Sequence, residues 1–224
     1  MGKTQDYGLG EFTFPRGWFM VADAEEVKER PVSVRFFAQD LVIYRGKSGR
    51  VVMLDAYCPH MGTHIGRNDS SYVIHGDSIR CPYHAWRFGP DGKCNHIPYY
   101  DGTIPKAAAI RSWQVVERMG CIWAWHDPEN GEPDYEVPDF AEWNDPQWVH
   151  WKIDQMGTIA LHPQEVLDNM ADVAHLNPVH GSTVEYFENE FRDHVVIQRQ
   201  GGGHRTLVTT SGMLVTSTSA AASR

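Results

Sequence analysis

Residues 57–66 read YCPHMGTHIG and residues 79–92 read IRCPYHAWRFGPDG. Together they place Cys58 and His60 as C-x-H, leave twenty intervening residues, and then place Cys81 and His84 as C-x2-H. Two thiolates and two imidazoles suit zinc or a mixed-ligand iron-sulfur cluster, and the donor types alone do not choose. The surroundings do. A zinc finger of the usual kind would carry its second pair on a helix, whereas HAWRFGPDG holds a Gly-Pro turn and reads as a loop returning to a strand. Gly62, Gly66, Pro59 and Pro82 let the backbone close on a compact centre and aim N–H groups at its sulfurs, which favours the reduced, more negative cluster. Exchanging two thiolates for imidazoles on one iron of a [2Fe-2S] centre raises its potential to about −150 to +300 mV. One-electron transfer is the chemistry expected. Trp86, two residues past His84, is placed to shield the centre from water, while His64, His75 and His96 lack such a pattern. Cys94 and Cys121 read as small buried hydrophobes.

Outward from these loops, residues 18–125 are short apolar runs broken by Gly, Pro and Asp. GWFMVAD, VSVRFFAQD, LVIYRG and RVVMLDAYC read as strands, and RSWQVVER with CIWAWHD as a hairpin closed through Met119-Gly120. The expected fold is an all-β domain over residues 15–127, followed by an α+β region with antiparallel sheet. Residues 128–145, rich in Pro and carboxylates, read as a connector. From residue 146 to 224, QWVHWKI is an expected strand and HPQEVLDNMADVAHL an expected helix. Pro163 starts that helix, Pro178 stops it, and Val166, Met170 and Val173 share its apolar face. VEYFENEF, HVVIQRQ and RTLVTTSGMLV follow as strands, and the tail STSAAASR should be frayed.

The run N169-M-A-D172-V-A-H175-L-N-P-V-H180 is the second informative string. Asn169, Asp172 and His175 stand three apart, so one helix would carry them along one side. A break at Pro178 would swing His180 back toward His175 and supply two neighbouring ligands. Two imidazoles and one carboxylate make the facial triad of non-haem Fe(II) oxygenases, which leaves positions open for O2. An electron-transfer centre upstream needs an acceptor, and a mononuclear Fe(II) here would provide one.

The 224 residues carry 20 Lys and Arg against 29 Asp and Glu, a formal charge of −9, with no basic block, so nucleic acid is not an expected partner. Four cysteines, two of them in ligand spacing, point to a reducing compartment and a cytoplasmic location. The start MGKTQDYGLGEF has no apolar run, and Asp6 stands where a myristoylation motif wants Ser or Thr. No stretch has the length of a transmembrane segment. No G-x-G-x-x-G follows a strand, so electrons from NAD(P)H would have to arrive through a separate protein.

The strings LDAYCPHMGTHIG, GDSIRCPYHAWRFGPDGKC, IPYY and IWAWHDPENG resemble Rieske-type ring-hydroxylating oxygenases, and more closely the oxygenase components of 3-ketosteroid 9α-hydroxylases, over roughly residues 15–210. The resemblance implies that the cysteines bind one iron of the cluster and the histidines the other. It implies that His175 and His180 bind the mononuclear iron, and that Asp172, with Asn169 beside it, lies between that iron and the Rieske centre of a neighbouring subunit, in a homotrimer. It implies a flavin and iron-sulfur reductase, O2, and an apolar substrate, a ketosteroid first, with hydroxylation as the reaction. In that family the third iron ligand is an aspartate far downstream. The carboxylates after His180, namely Glu185, Glu188, Glu190 and Asp193, are not assigned to that role. The expected reading is a C-terminally incomplete chain whose catalytic part has uncovered apolar faces. A Rieske electron carrier or an inactive remnant is the alternative function, and a colourless zinc-stabilised binding module a third.

Overall fold

The computed structural model describes residues 4–8, 14–67, 73–150, 153, 157–193, 195–204, 207–208 and 214–215. It divides into two compact units, residues 9–155 and residues 1–8 with 156–224.

The first unit is all β. Its middle layer is an antiparallel sheet in the order β2-β3-β4-β9, from β2 (Val32–Phe36), β3 (Gln39–Arg45), β4 (Val51–Asp55) and β9 (Ser112–Trp113). The alternation of side chains along β3 explains its unbroken apolar run. Val42 and Tyr44 enter one core with Val52, Leu54, Ile65, Ile79 and Phe88, while Leu41 and Ile43 enter a second core with Val21, Met53, Trp113 and Ile122. Strands β1 (Gly17–Asp23), β11 (Cys121–His126) and β10 (Val115–Arg118) cover the second core in the order β1-β11-β10. The first core lies under a sheet ordered β5-β6-β7-β8, from β5 (Val73–His75), β6 (Ser78–Arg80), β7 (Arg87–Phe88) and β8 (Cys94–His96). Cys58 and Cys81 belong to that first core.

Two hairpins turn on consecutive left-handed residues, the form that matches strand twist. Met119 (φ 54°) and Gly120 (φ 72°) close β10 on β11 with Arg118 opposite Cys121, at the expected place. Phe37 (φ 52°) and Ala38 (φ 60°) close β2 on β3, which splits VSVRFFAQD where a single strand was expected. Neither Gly nor Asn marks that turn. Its strain is offset by packing, since the Phe37 ring stacks on Trp113 at 5.3 Å and on His126 at 4.5 Å.

The second unit holds a hairpin of β12 (Ser182–Arg192) and β13 (Val195–His204), with two helices before it and the short pair β14 (Leu207–Val208) and β15 (Leu214–Val215) after it. Helix α1 is Pro163–Ala171 and α2 is Leu176–His180. Here the expected single helix is corrected. Asp172 is the extended C-cap of α1 (φ −89°, ψ 98°), so the helix ends before it. Nor does Pro178 stop a helix. It is the third residue of α2, in the first turn, where its missing N–H costs nothing, and Gly181 at φ 69° supplies the stop. Residues 147–150 of QWVHWKI form no strand, and RTLVTTSGMLV contributes only β14 and β15 among its described residues. The tail STSAAASR lies outside the described residues. Val166, Leu167 and Met170 are all exposed, so the apolar side of α1 is uncovered, and Val173, also exposed, lies past the end of the helix rather than on the face expected for it.

Candidate metal centres

The two loops that carry the Cys and His pairs close by the same hydrogen bonds. Cys58 N–H donates to the Thr63 carbonyl (2.9 Å) and its own carbonyl accepts from Gly62 N–H (2.9 Å). Cys81 N–H donates to the Trp86 carbonyl (2.7 Å) and its carbonyl accepts from Ala85 N–H (3.1 Å). In both, the residue four after the cysteine is left-handed, Gly62 at φ 70° and Ala85 at φ 60°. The loops are therefore copies of one turn, with the histidine displaced by one residue between them. That displacement is what C-x-H against C-x2-H encodes.

The turns bring all four side chains to one place. Cys58 and Cys81 are both 2% exposed, and their sulfurs share a hydrogen bond. Sharing that bond lets one of the two sulfurs carry a negative charge more readily than a lone buried thiol, and N–H groups of Tyr83 and His84 at the Cys81 sulfur favour the thiolate there. Backbone N–H groups of His60 and Met61 point at the Cys58 sulfur in the same way. The His60 and His84 rings lie 4.5 Å apart, and His60 Nδ1 is buried without a partner. A buried, unpaired ring nitrogen beside a sulfur pair is costly for the protein alone and is satisfied by a metal. The donor set is two pairs, as a two-iron cluster with two protein ligands per iron requires. Among the described residues no group of three or more His, Cys, Asp and Glu is gathered as for one ion.

Aromatic rings cover both histidines. Trp86 stacks flat on His60 (4.6 Å, 7° between planes), and Tyr83 lies 3.9 Å from His84. His64 sits apart, with Nδ1 accepting from Gly66 N–H at 3.1 Å, and burial pushes its pKa down. Sequence reasoning missed the clamp on the first loop. Asp40 accepts from Tyr57 Oη at 2.5 Å and from Arg35 at 3.1 Å, faces Arg67 at 3.7 Å, and accepts Ala56 N–H on its carbonyl at 3.1 Å. It thus holds the segment at both ends, and these donors keep its carboxyl below the usual range. Nothing local in the sequence ties Asp40 to residues 17 and 27 positions later.

In the second unit His175 is the N-cap of α2 and His180 its last residue, so one short helix joins them, with ring centroids 5.2 Å apart. His175 Nδ1 is buried without a hydrogen bond, and Asp172 Oδ2 stands 3.6 Å away, beyond bonding distance but on the correct side. Asp172 Oδ1 accepts from Ala174 N–H at 2.8 Å and shapes the link between the helices. Asn169 lies on α1, so the expected single row of Asn169, Asp172 and His175 is instead a helix, its cap and the next helix's cap. The two rings meet edge to face, at 76° between planes. No carboxylate among the described residues joins them as a third ligand. An open hollow of about 410 Å³ lies beside His180, lined by Leu176, Thr183 and Gly201–Gly203.

Two family descriptions match this chain: "Rieske [2Fe-2S] domain" over residues 17–114 and "3-Ketosteroid 9alpha-hydroxylase C-terminal domain" over residues 124–223. The oxygenase component of 3-ketosteroid-9-alpha-monooxygenase from Rhodococcus rhodochrous is 35% identical over 196 residues, 86% of this chain and 50% of that protein. Cholesterol 7-desaturase nvd from Bombyx mori is 40% identical over 172 residues, 76% of this chain and 36% of that one. A crystal structure of dicamba monooxygenase with non-heme iron and dicamba superposes with a TM-score of 0.66 at 26% identity, covering 88% of this chain and 57% of that chain.

Proposed function

Because this chain belongs to the Rieske oxygenase family, related to 3-ketosteroid-9-alpha-monooxygenase oxygenase components and spanning about half their length, we propose that it is the cluster-bearing portion of an oxygenase component that hydroxylates a steroid-like substrate. Residues 15–127 are the cluster domain, residues 128–145 the connector and residues 146–224 the first part of the catalytic domain. Cys58 and Cys81 would hold one iron of the [2Fe-2S] group and His60 and His84 the other. When bound, the cluster supplies a one-electron relay of moderate potential. The observation that carries this reading is the pair of matched loops, which bring two buried sulfurs together and set two imidazoles edge to face 4.5 Å apart beside them.

The protein's own groups set the relay's properties. N–H groups of His60, Met61, Tyr83 and His84 aim at the sulfurs and favour the more negative state. Around the loops Tyr57, Met61, Tyr83 and Tyr99 remain exposed, a face fitted to meet another protein. Electrons would come from a flavin and iron-sulfur reductase using NAD(P)H and pass between subunits of a homotrimer in a cytoplasmic enzyme. Asp172, on the Nδ1 side of His175, would orient that imidazole and accept a hydrogen bond across the interface. His175 and His180 would hold a mononuclear Fe(II) with a third ligand outside the described residues. A steroid nucleus is favoured because relatives named for a ketosteroid and for cholesterol both align. The test is reduction of the cluster by NADH and such a reductase, followed by assay of ketosteroid hydroxylation in a protein of the relatives' full length. Failure of the cluster to reduce would reject the relay.

A further inference from the structure

We propose that Tyr99 is a positioning residue for the cluster: its hydroxyl holds the Trp86 indole flat against His60 and so keeps water off that imidazole. This rests on the reading that His60 is a cluster ligand. Trp86 donates its indole N–H to Tyr99 Oη at 2.7 Å, and the same indole stacks on His60 at 4.6 Å and 7°. Tyr99 comes from neither ligand loop. It follows β8 through a turn in which Tyr100 N–H donates to the Ile97 carbonyl (3.1 Å), and Ile97 is buried in the core that contains both cysteines. The segment is thus anchored in the cluster's own core while Tyr99 itself is 61% exposed. An exposed tyrosine gains little from packing there, so its hydroxyl is the group with a local task. Without that acceptor the indole N–H must turn to water, and a tilted indole admits solvent to His60.

The sign of the effect follows from charge. An oxidised [2Fe-2S] core of charge +2 with two thiolates is neutral, and one electron makes it −1. A more polar surrounding favours the charged state, so opening the indole should raise the potential.

The experiment is a double-mutant cycle on cluster-loaded protein, read by midpoint potential and by the rate of cluster loss to a chelator. Tyr99→Phe should keep iron and sulfide content and shift the reduced-to-oxidised ratio at fixed potential two- to tenfold toward reduced, tenfold being about 59 mV for one electron. Chelator loss should quicken by a similar factor. Trp86→Phe keeps a ring over His60 but has no N–H, so adding Tyr99→Phe to it should change neither readout. Tyr100→Phe, whose hydroxyl donates instead to the Thr103 carbonyl at 3.3 Å, should match the parent. A Tyr99→Phe protein with parental values overturns the proposal, as does a shift that persists in full on the Trp86→Phe background. If Tyr99→Phe loses the cluster and Tyr100→Phe does not, the assignment stands; if both lose it, the assignment falls. A parent protein with no iron-sulfur cluster would instead reject the ligand reading on which this depends.

Discussion

The repeated turn around the two cysteines makes a sharp prediction, because the same left-handed position is glycine in one loop and alanine in the other. Gly62 has φ 70°, and a Cβ added there meets nothing within 4 Å, so Gly62→Ala changes backbone energy alone. A left-handed L-residue costs about 1–2 kcal/mol. The smaller conformational freedom of alanine in the unfolded chain returns about 0.4–1 kcal/mol. The net loss should be about 1 kcal/mol, or roughly 2–4 °C in Tm for a chain of this size. Ala85 carries that strain already at φ 60°, so Ala85→Gly should stabilise by a similar amount. Both variants should be compared with the parent by thermal unfolding of cluster-loaded protein, followed by visible circular dichroism at one scan rate, because release of iron makes unfolding irreversible. The two shifts should be opposite in sign and nearly cancel in the double variant. A gain from Gly62→Ala, or a loss of 2 °C or more from Ala85→Gly, would refute the equivalence of the two turns.

Three further outcomes are expected. Replacing both His60 and His84 by Cys should, if a cluster still assembles, drop its potential toward roughly −400 mV, as measured by redox titration with EPR. In the full-length enzyme Asp172→Asn should leave both metals bound and the cluster reducible while nearly abolishing hydroxylation, since it keeps an oxygen for Ala174 N–H but loses the charge facing His175; near-normal turnover would remove Asp172 from the path. The Asp127 carboxyl is held by Glu129 N–H and by Arg16, which lowers its pKa from 3.8. A lowered carboxylate stabilises the fold above its unfolded pKa and loses that contribution as pH falls through the folded value. Asp127→Asn should therefore flatten the acid limb of stability below about pH 4 and leave its slope above pH 5 unchanged, read by urea unfolding at each pH.

The cluster loops were legible because their information is local: ligand spacing, Gly62, and the prolines beside each cysteine lie within a few residues of one another. The hairpin at Met119-Gly120 was legible for the same reason. Less visible was the turn at Phe37-Ala38, where no turn-forming residue stands and the cost is offset by rings from β9 and β11. The Asp40 clamp and the Tyr99 contact were equally hidden, since each joins segments that only the folded sheets bring together. At the second site the spacing of Asn169, Asp172 and His175 fitted one continuous helix, and nothing periodic announced that Asp172 would leave it to cap α1 and bond Ala174. Pro178 reads as a stop from sequence alone because a proline that ends one helix is equally acceptable in the first turn of the next.

The two imidazoles of His175 and His180, with no carboxylate among the described residues to join them, should hold Fe(II) weakly in the 224-residue chain. Equilibrium dialysis should then find the cluster iron retained and the additional iron lost, and a tightly bound third iron would show that a further ligand is present. Whether Cys58, His60, Cys81 and His84 hold a Rieske cluster is decided by iron and acid-labile sulfide analysis of anaerobically purified protein together with EPR after reduction. The protein should be brown, with about two iron and two sulfide per chain from the cluster and a mixed-ligand [2Fe-2S] spectrum that is lost when His60 and His84 are both replaced by Ala. Colourless protein loaded with zinc, or an unchanged spectrum in that double variant, would contradict it.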